Sequence, residues 1–226
     1  MELILDASSP VVAAALAHGT TVVWTGTWLS RNDHTRRLMP EVLRGLAEAS
    51  STVSDIDAIT VALGPGPFNG LRVAIAAAKG LAAGTGAAVC GINTLEAEAA
   101  RCPWTAGDVR PVVRAGRSAF ATARYVRHGT SWLAQEGTRV VEEGELFELA
   151  TQGPALCGEI DDEIARRLHQ ETTGRIQVCD PESTRIETLA RLGYERLREG
   201  TGTSVAALQP IYARPPHITQ PRERRL

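Results

Sequence analysis

The segment with the most conspicuous chemistry is Gly64-Pro65-Gly66-Pro67-Phe68-Asn69-Gly70, a glycine-rich loop between an apolar run and a stretch of small residues. Such a loop can cradle an anion, because glycines let backbone amides approach closely and a following helix adds the partial positive charge of its N-terminus. Its spacing matches neither G-x-x-x-x-G-K-[ST] nor G-x-G-x-x-G, and Pro65 and Pro67 delete amide donors from it. The residues therefore predict a structural loop: glycines for a tight strand-to-helix connection, Asn69 as N-cap, and Phe68 plugging the core beneath. The second candidate is Asp6-Ala7-Ser8-Ser9, where a carboxylate and two hydroxyls follow an apolar run. This pattern predicts a strand-end turn capped by Asx and Ser hydrogen bonds, and Pro10 withdraws one more amide from any anion.

No nucleophile with a base beside it is discernible. His18 and His128 lie beside glycines in turns, His169 sits beside Arg166 and Arg167, and His217 is near the C-terminal end, all of which predicts solvated or structural roles. His34 opens a helix, where it packs or meets a partner. Cys90, Cys102, Cys157 and Cys179 are widely spaced, forming neither a C-x-x-C pair nor a Cys/His cluster, so buried thiols are expected rather than a metal site or redox pair. With 24 basic and 26 acidic residues the net charge is -2, which argues against a protein that grips nucleic acid by bulk electrostatics. Lys79 is the only lysine, which reads as base-composition bias rather than as a binding signal.

These residues need an α/β frame to position them. Strands are predicted at 2–6, 11–17 and 20–28, divided by Ser8-Ser9-Pro10 and His18-Gly19. From His34 the period changes: Leu38, Met39, Val42, Leu43 and Leu46 fall opposite Arg36, Arg37, Glu41, Arg44 and Glu48, an amphipathic helix. A buried parallel strand at 57–63, a helix at 71–83, a strand at 87–91 and a helix at 94–101 follow. Cys102-Pro103-Trp104 breaks the pattern, which places a domain boundary near 103–108. Strands at 110–114 and 119–126 form a partial echo of the opening. Helices at 145–151, 159–170 and 184–199, with a strand at 176–179, complete a unit over 104–208. The proline-rich segment 209–226 is expected to be an extended arm. No secretory signal or spanning segment is apparent, so a cytoplasmic protein without membrane attachment is expected.

Four of these features in order, Asp6-Ala7-Ser8-Ser9, His34-x-x-x-Leu38-x-Pro40, Gly64 to Arg72 ahead of Lys79-Gly80-Leu81-Ala82, and Pro210-Ile211-Tyr212-x-Arg214-Pro215-Pro216, resemble the TsaB (YeaZ) family. The likeness is dense over residues 1–100, sparse to about 205 and visible again in the arm. It implies an actin-like ATPase fold, of the sugar kinase and heat-shock ATPase type, with two related subdomains, 1–103 and a shortened 104–208. It also implies a non-catalytic scaffold or activating subunit for threonylcarbamoyl modification of adenosine 37 in tRNA, pairing with a catalytic TsaD-like paralogue and working with a TsaE-like ATPase, while tRNA is held by another subunit.

In catalytic relatives of that fold the first turn holds nucleotide phosphates, so Asp6, Ser8 and Ser9, with Gly64, Gly66, Asn69 and Gly70, would be vestigial phosphate loops. TsaD-type paralogues carry a His-x-x-x-His metal pair where this chain has Thr94 and Glu98, which implies that the metal chemistry is absent. An Asp-Ala-Arg stretch common in the family is replaced by Arg114-Ala115-Gly116-Arg117. No cofactor is expected, with ATP or ADP placed only at a subunit boundary. The resemblance puts the partner interface on the first two helices, at His34, Leu38, Val42, Leu46, Val73, Ala77 and Leu81. A phosphotransferase of the same superfold, a metallopeptidase and a homodimeric binding protein are the competing readings.

Overall fold

β1 (Glu2–Asp6), β2 (Val11–His18) and β3 (Thr21–Leu29) form an antiparallel meander. β1 and β2 are covered on both faces and read as continuous apolar runs, whereas β3 lies at the sheet edge and alternates with solvent. β4 (Ala58–Gly64) and β5 (Ala88–Asn93) join in parallel, giving the order β3-β2-β1-β4-β5. Parallel neighbours need crossover connections, and α1 (His34–Glu48) and α2 (Phe68–Thr85) supply them on one face of the sheet. Residues 1–102, 107–116, 118–129, 131–172, 174, 176–178 and 184–214 are described by this computed structural model. Arg117, Cys179, the arm beyond Arg214 with Pro215, Pro216 and His217, and residues 103–106 of the expected boundary lie outside them.

The amphipathic period of α1 identifies its apolar residues correctly, but the sheet claims them. Leu38, Val42 and Leu46 are 2%, 0% and 2% exposed and pack with Leu3, Leu5, Val61, Ala74 and Ala78. Three residues expected at a partner surface are thus beneath it, because an amphipathic helix over a sheet spends its apolar stripe on its own core. On α2, Val73, Ala77 and Leu81 remain half-buried.

After α3 (Thr94–Arg101) come β6 (Asp108–Arg114), β7 (Ala119–Thr122), β8 (Tyr125–His128), β9 (Ser131–Ala134), β10 (Arg139–Glu142), α4 (Glu143–Gln152), β11 (Ala155–Gly158), α5 (Asp162–Glu171), β12 (Ile176–Val178) and α6 (Ile186–Arg198). The second sheet runs β10-β7-β6-β11-β12, with antiparallel strands on one side of β6 and parallel strands on the other, as around β1. The echo is therefore topological. The single strand expected over 119–126 is divided, because it runs beside Pro111 of β6, which has no amide to offer the ladder. There the Thr122 hydroxyl donates to the Pro111 carbonyl at 2.8 Å instead, and β8 continues into a hairpin with β9.

Helices cross between the two sheets. Leu95 and Ala99 of α3 pack with Val109, Val113 and Ala121 of the second sheet. Ile186, Leu189 and Ala190 of α6 return to Ile4, Ala13 and Ala15 of the first. Beyond α6, the Thr203 amide bonds the Val89 carbonyl at 2.8 Å and the Ile211 amide bonds the Leu63 carbonyl at 2.7 Å, so the start of the expected arm is docked on the first sheet.

Candidate functional site: the cleft between the sheets

Asp6 ends β1, and the turn after it is the Asx turn its residues predict. The Asp6 carboxylate accepts from the Ser8 amide at 2.9 Å and the Ser8 hydroxyl at 2.5 Å, while the Ser9 hydroxyl donates to the Val11 carbonyl at 2.8 Å. The glycine-rich loop presses on this turn from behind. A Cβ on Gly66 would stand 2.3 Å from the Ser8 carbonyl oxygen, and one on Gly70 would stand 2.4 Å from that of Ala7. These two glycines are needed for backbone-to-backbone packing, which supports the structural reading of the loop. Gly64 is at φ +102 with the Ile211 carbonyl 2.5 Å from where its Cβ would be, and precedes a cis Pro65.

Two expectations at this loop are corrected. Pro67 is the N-cap, and Asn69 lies exposed in the first turn of α2, because the Leu71 amide already bonds the Pro67 carbonyl at 3.1 Å and so starts the helix two residues before an Asn69 cap would. Phe68 does not plug the core: half-buried, it stacks on Tyr212 at 4.9 Å, with the Arg72 guanidinium 4.4 Å over its ring. His34, by contrast, is inside, 7% exposed, with Nδ1 3.2 Å from the Ser30 hydroxyl and Nε2 close to Gly70. Helix α1 is anchored there by its first residue.

A cavity of about 1160 Å³ opens between the sheets, walled by Ser8, Trp28, Pro65, Phe68, Glu159 and Tyr212. At its inner end sits a group that sequence reasoning missed. Arg185, just ahead of α6, is 3% exposed; its Nε bonds Asp6 Oδ2 at 2.9 Å, its Nη1 bonds Glu98 Oε1 at 2.6 Å and Glu159 Oε1 at 2.7 Å, and its Nη2 bonds the Ser8 hydroxyl at 3.0 Å. Nothing in the sequence singles out this arginine from the others, since its partners are 26 to 179 residues away. Glu98, one of the two residues in place of a metal pair, also accepts from Arg101 at 3.1 Å. Thr94, the other, is fully buried.

The electrostatics follow from this pairing. Burial would push the Asp6 carboxyl up, but the Arg185 charge and the Ser8 bonds hold it below the usual range. Burial would likewise disfavour the Arg185 cation, and Asp6, Glu159 and Glu98 outweigh it and hold the guanidinium firmly protonated. At the cavity's outer side Arg114 pairs with Asp161, and Arg214 with Glu142 at 2.9 Å. Each of the carboxylates Asp6, Glu98 and Glu159 at the inner end is thus engaged by a cation. Among the described residues, no group of three His, Cys, Asp or Glu is arranged to hold a metal, and no helix is long and apolar enough to cross a membrane.

A family model described as "TsaD: tRNA N6-adenosine threonylcarbamoyltransferase" matches residues 29–199. An uncharacterized protein of Mycobacterium tuberculosis is 36% identical over 125 residues, 54% of this chain and 58% of that protein. The Escherichia coli tRNA threonylcarbamoyladenosine biosynthesis protein TsaB is 33% identical over 93 residues, 41% of this chain and 40% of that one. The chain therefore spans less than two thirds of the length of these curated relatives. YeaZ from Pseudomonas aeruginosa superposes with a TM-score of 0.72 at 22% identity, covering 93% of this chain and 98% of that one, and the fold is of the actin-like ATPase type.

Proposed function

Because the chain belongs to the family whose model is described as TsaD, and is similar to TsaB (YeaZ) proteins, we propose that it is a TsaB-like, non-catalytic subunit in the threonylcarbamoyl modification of tRNA, pairing with a larger TsaD-like paralogue. The observation that carries this reading is the engagement of Asp6, Glu98 and Glu159 by Arg185. A cleft whose central acids are committed to an internal cation suits a scaffold better than a phosphotransferase, which would need those groups for a metal and a nucleotide. In this reading tRNA and a TsaE-like ATPase are met through the partner, in keeping with a net charge of -2.

The partner is placed on the outer side of α1 and α2. Val73, Ala77 and Leu81 are half-buried there, Leu43 is 51% exposed, and Gly80 is exposed with nothing within 4 Å of where its Cβ would stand. Small residues on α2 let another helix approach closely. His34, Leu38, Val42 and Leu46 support this face from beneath.

Depletion of the protein in its native cell, with threonylcarbamoyladenosine in bulk tRNA measured by mass spectrometry, is expected to lower that nucleoside severalfold. An unchanged level would remove the proposed pathway. Leu43→Glu together with Ala77→Glu is expected to abolish co-purification with the TsaD-like protein while leaving the circular dichroism spectrum unaltered. Retained co-purification would remove only the placement of the interface.

A further inference from the structure

We propose that Arg185 is a latch: its guanidinium ties the two sheets together across the cleft, and the cleft opens when its bonds are broken. The contacts bring together at one point parts of the chain that lie far apart in sequence. Asp6 and Ser8 belong to the turn after β1, Glu98 to α3, and Glu159 to the residue after β11, so one side chain grips the first sheet, the second sheet and the helix that crosses between them. Glu159 is held from its other side too, accepting from the Arg114 amide at the end of β6 at 3.1 Å. The guanidinium suits this role because its planar fork presents several donors in fixed directions and keeps its charge at any physiological pH.

The bonds are made away from water: the side chains of Arg185, Asp6 and Glu98 are 3%, 3% and 0% exposed, and that of Glu159 is 12% exposed. Three carboxylates meet there: Arg185 touches all three, and Arg101 also touches Glu98. Without Arg185, Asp6, Glu98 and Glu159 would each lose a buried cation that touches them, and the repulsion and desolvation it offsets favour separation of the elements that carry them. Ser8 and Glu159 also wall the large cavity, so the same separation changes the cavity's shape. This inference does not depend on the proposed pathway, since it concerns the isolated chain.

Hydrogen exchange on the full chain tests it. Arg185→Met is expected to lower the melting temperature by roughly 10 °C and to speed exchange at least tenfold at Ser8, in α3 and at Arg114, on both sides of the cleft, with α1 and β3 unaffected. A melting temperature and exchange pattern like those of the unmodified chain would overturn the proposal, as would faster exchange confined to α6. Because Arg185→Met leaves orphaned charges, the variant that also carries Glu98→Gln and Glu159→Gln is the sharper probe. It is expected to recover most of the lost thermal stability yet keep fast exchange at Ser8 and Arg114; recovery of slow exchange there would show that the cleft closes without the arginine. Failure of both variants to fold would make Arg185 a determinant of folding and would likewise overturn the latch.

Discussion

Glu2 shows how one buried acid couples stability to pH. It is 5% exposed at the start of β1, and burial, with Asp57 adding to it, pushes its carboxyl from the ordinary 4.5 up to about 7. A folded-state value above the unfolded one means that the native chain holds the proton more tightly. The resulting stability is fully present below pH 4.5 and is lost as pH rises through about 7. Glu2→Gln should therefore be more stable than the unmodified chain at pH 8, by on the order of 2 kcal/mol, and the difference should shrink toward pH 5. Urea denaturation at stepped pH measures this, and a difference independent of pH would refute it. At this scale, the hydrogen-bonded turn at Asp6 and Ser8 was legible, because an Asx turn is written in neighbouring residues. Arg185 was not, because a cation's burial depends on partners far along the chain.

Glycines in two helices make opposite predictions. In α6, a Cβ on Gly193 would stand 1.9 Å from Thr60 Oγ1 and 2.7 Å from Glu2 Oε1, so the helix lies directly on β1 and β4. Gly193→Ala should cost about 1–3 kcal/mol from overpacking, more than alanine's helix preference returns. In α2, Gly80 has open space around it, and Gly80→Ala should stabilise the isolated chain by about 0.5–1 kcal/mol. Thermal melts of both variants check this; a stabilised Gly193→Ala would mean that α6 sits farther from the sheet. The helices and most strands were readable from periodicity, since both amphipathic helices and buried parallel strands leave local patterns. The division of the strand after β6 was not, because its cause, Pro111, lies on the neighbouring strand.

On the scale of the whole molecule, α3 packs on the second sheet and α6 on the first, so each half is completed by a helix that the linear order assigns to the other. The chain is accordingly expected to unfold in a single calorimetric transition, with van't Hoff and calorimetric enthalpies equal; two resolved transitions would show that the halves are independently stable. The sequence by itself determined the α/β class, the opening meander and the family likeness carried by residues 1–100, and gave only a partial echo of the beginning in the second half. Each of these rests on neighbouring residues or on short periods. Only the tertiary structure decided that Leu38, Val42 and Leu46 face inward, that Phe68 meets Tyr212, and that Arg185 gathers Asp6, Glu98 and Glu159. An apolar stripe does not say which surface will cover it, and a charged residue does not say which distant charge will neutralise it; both are settled when the sheets come together.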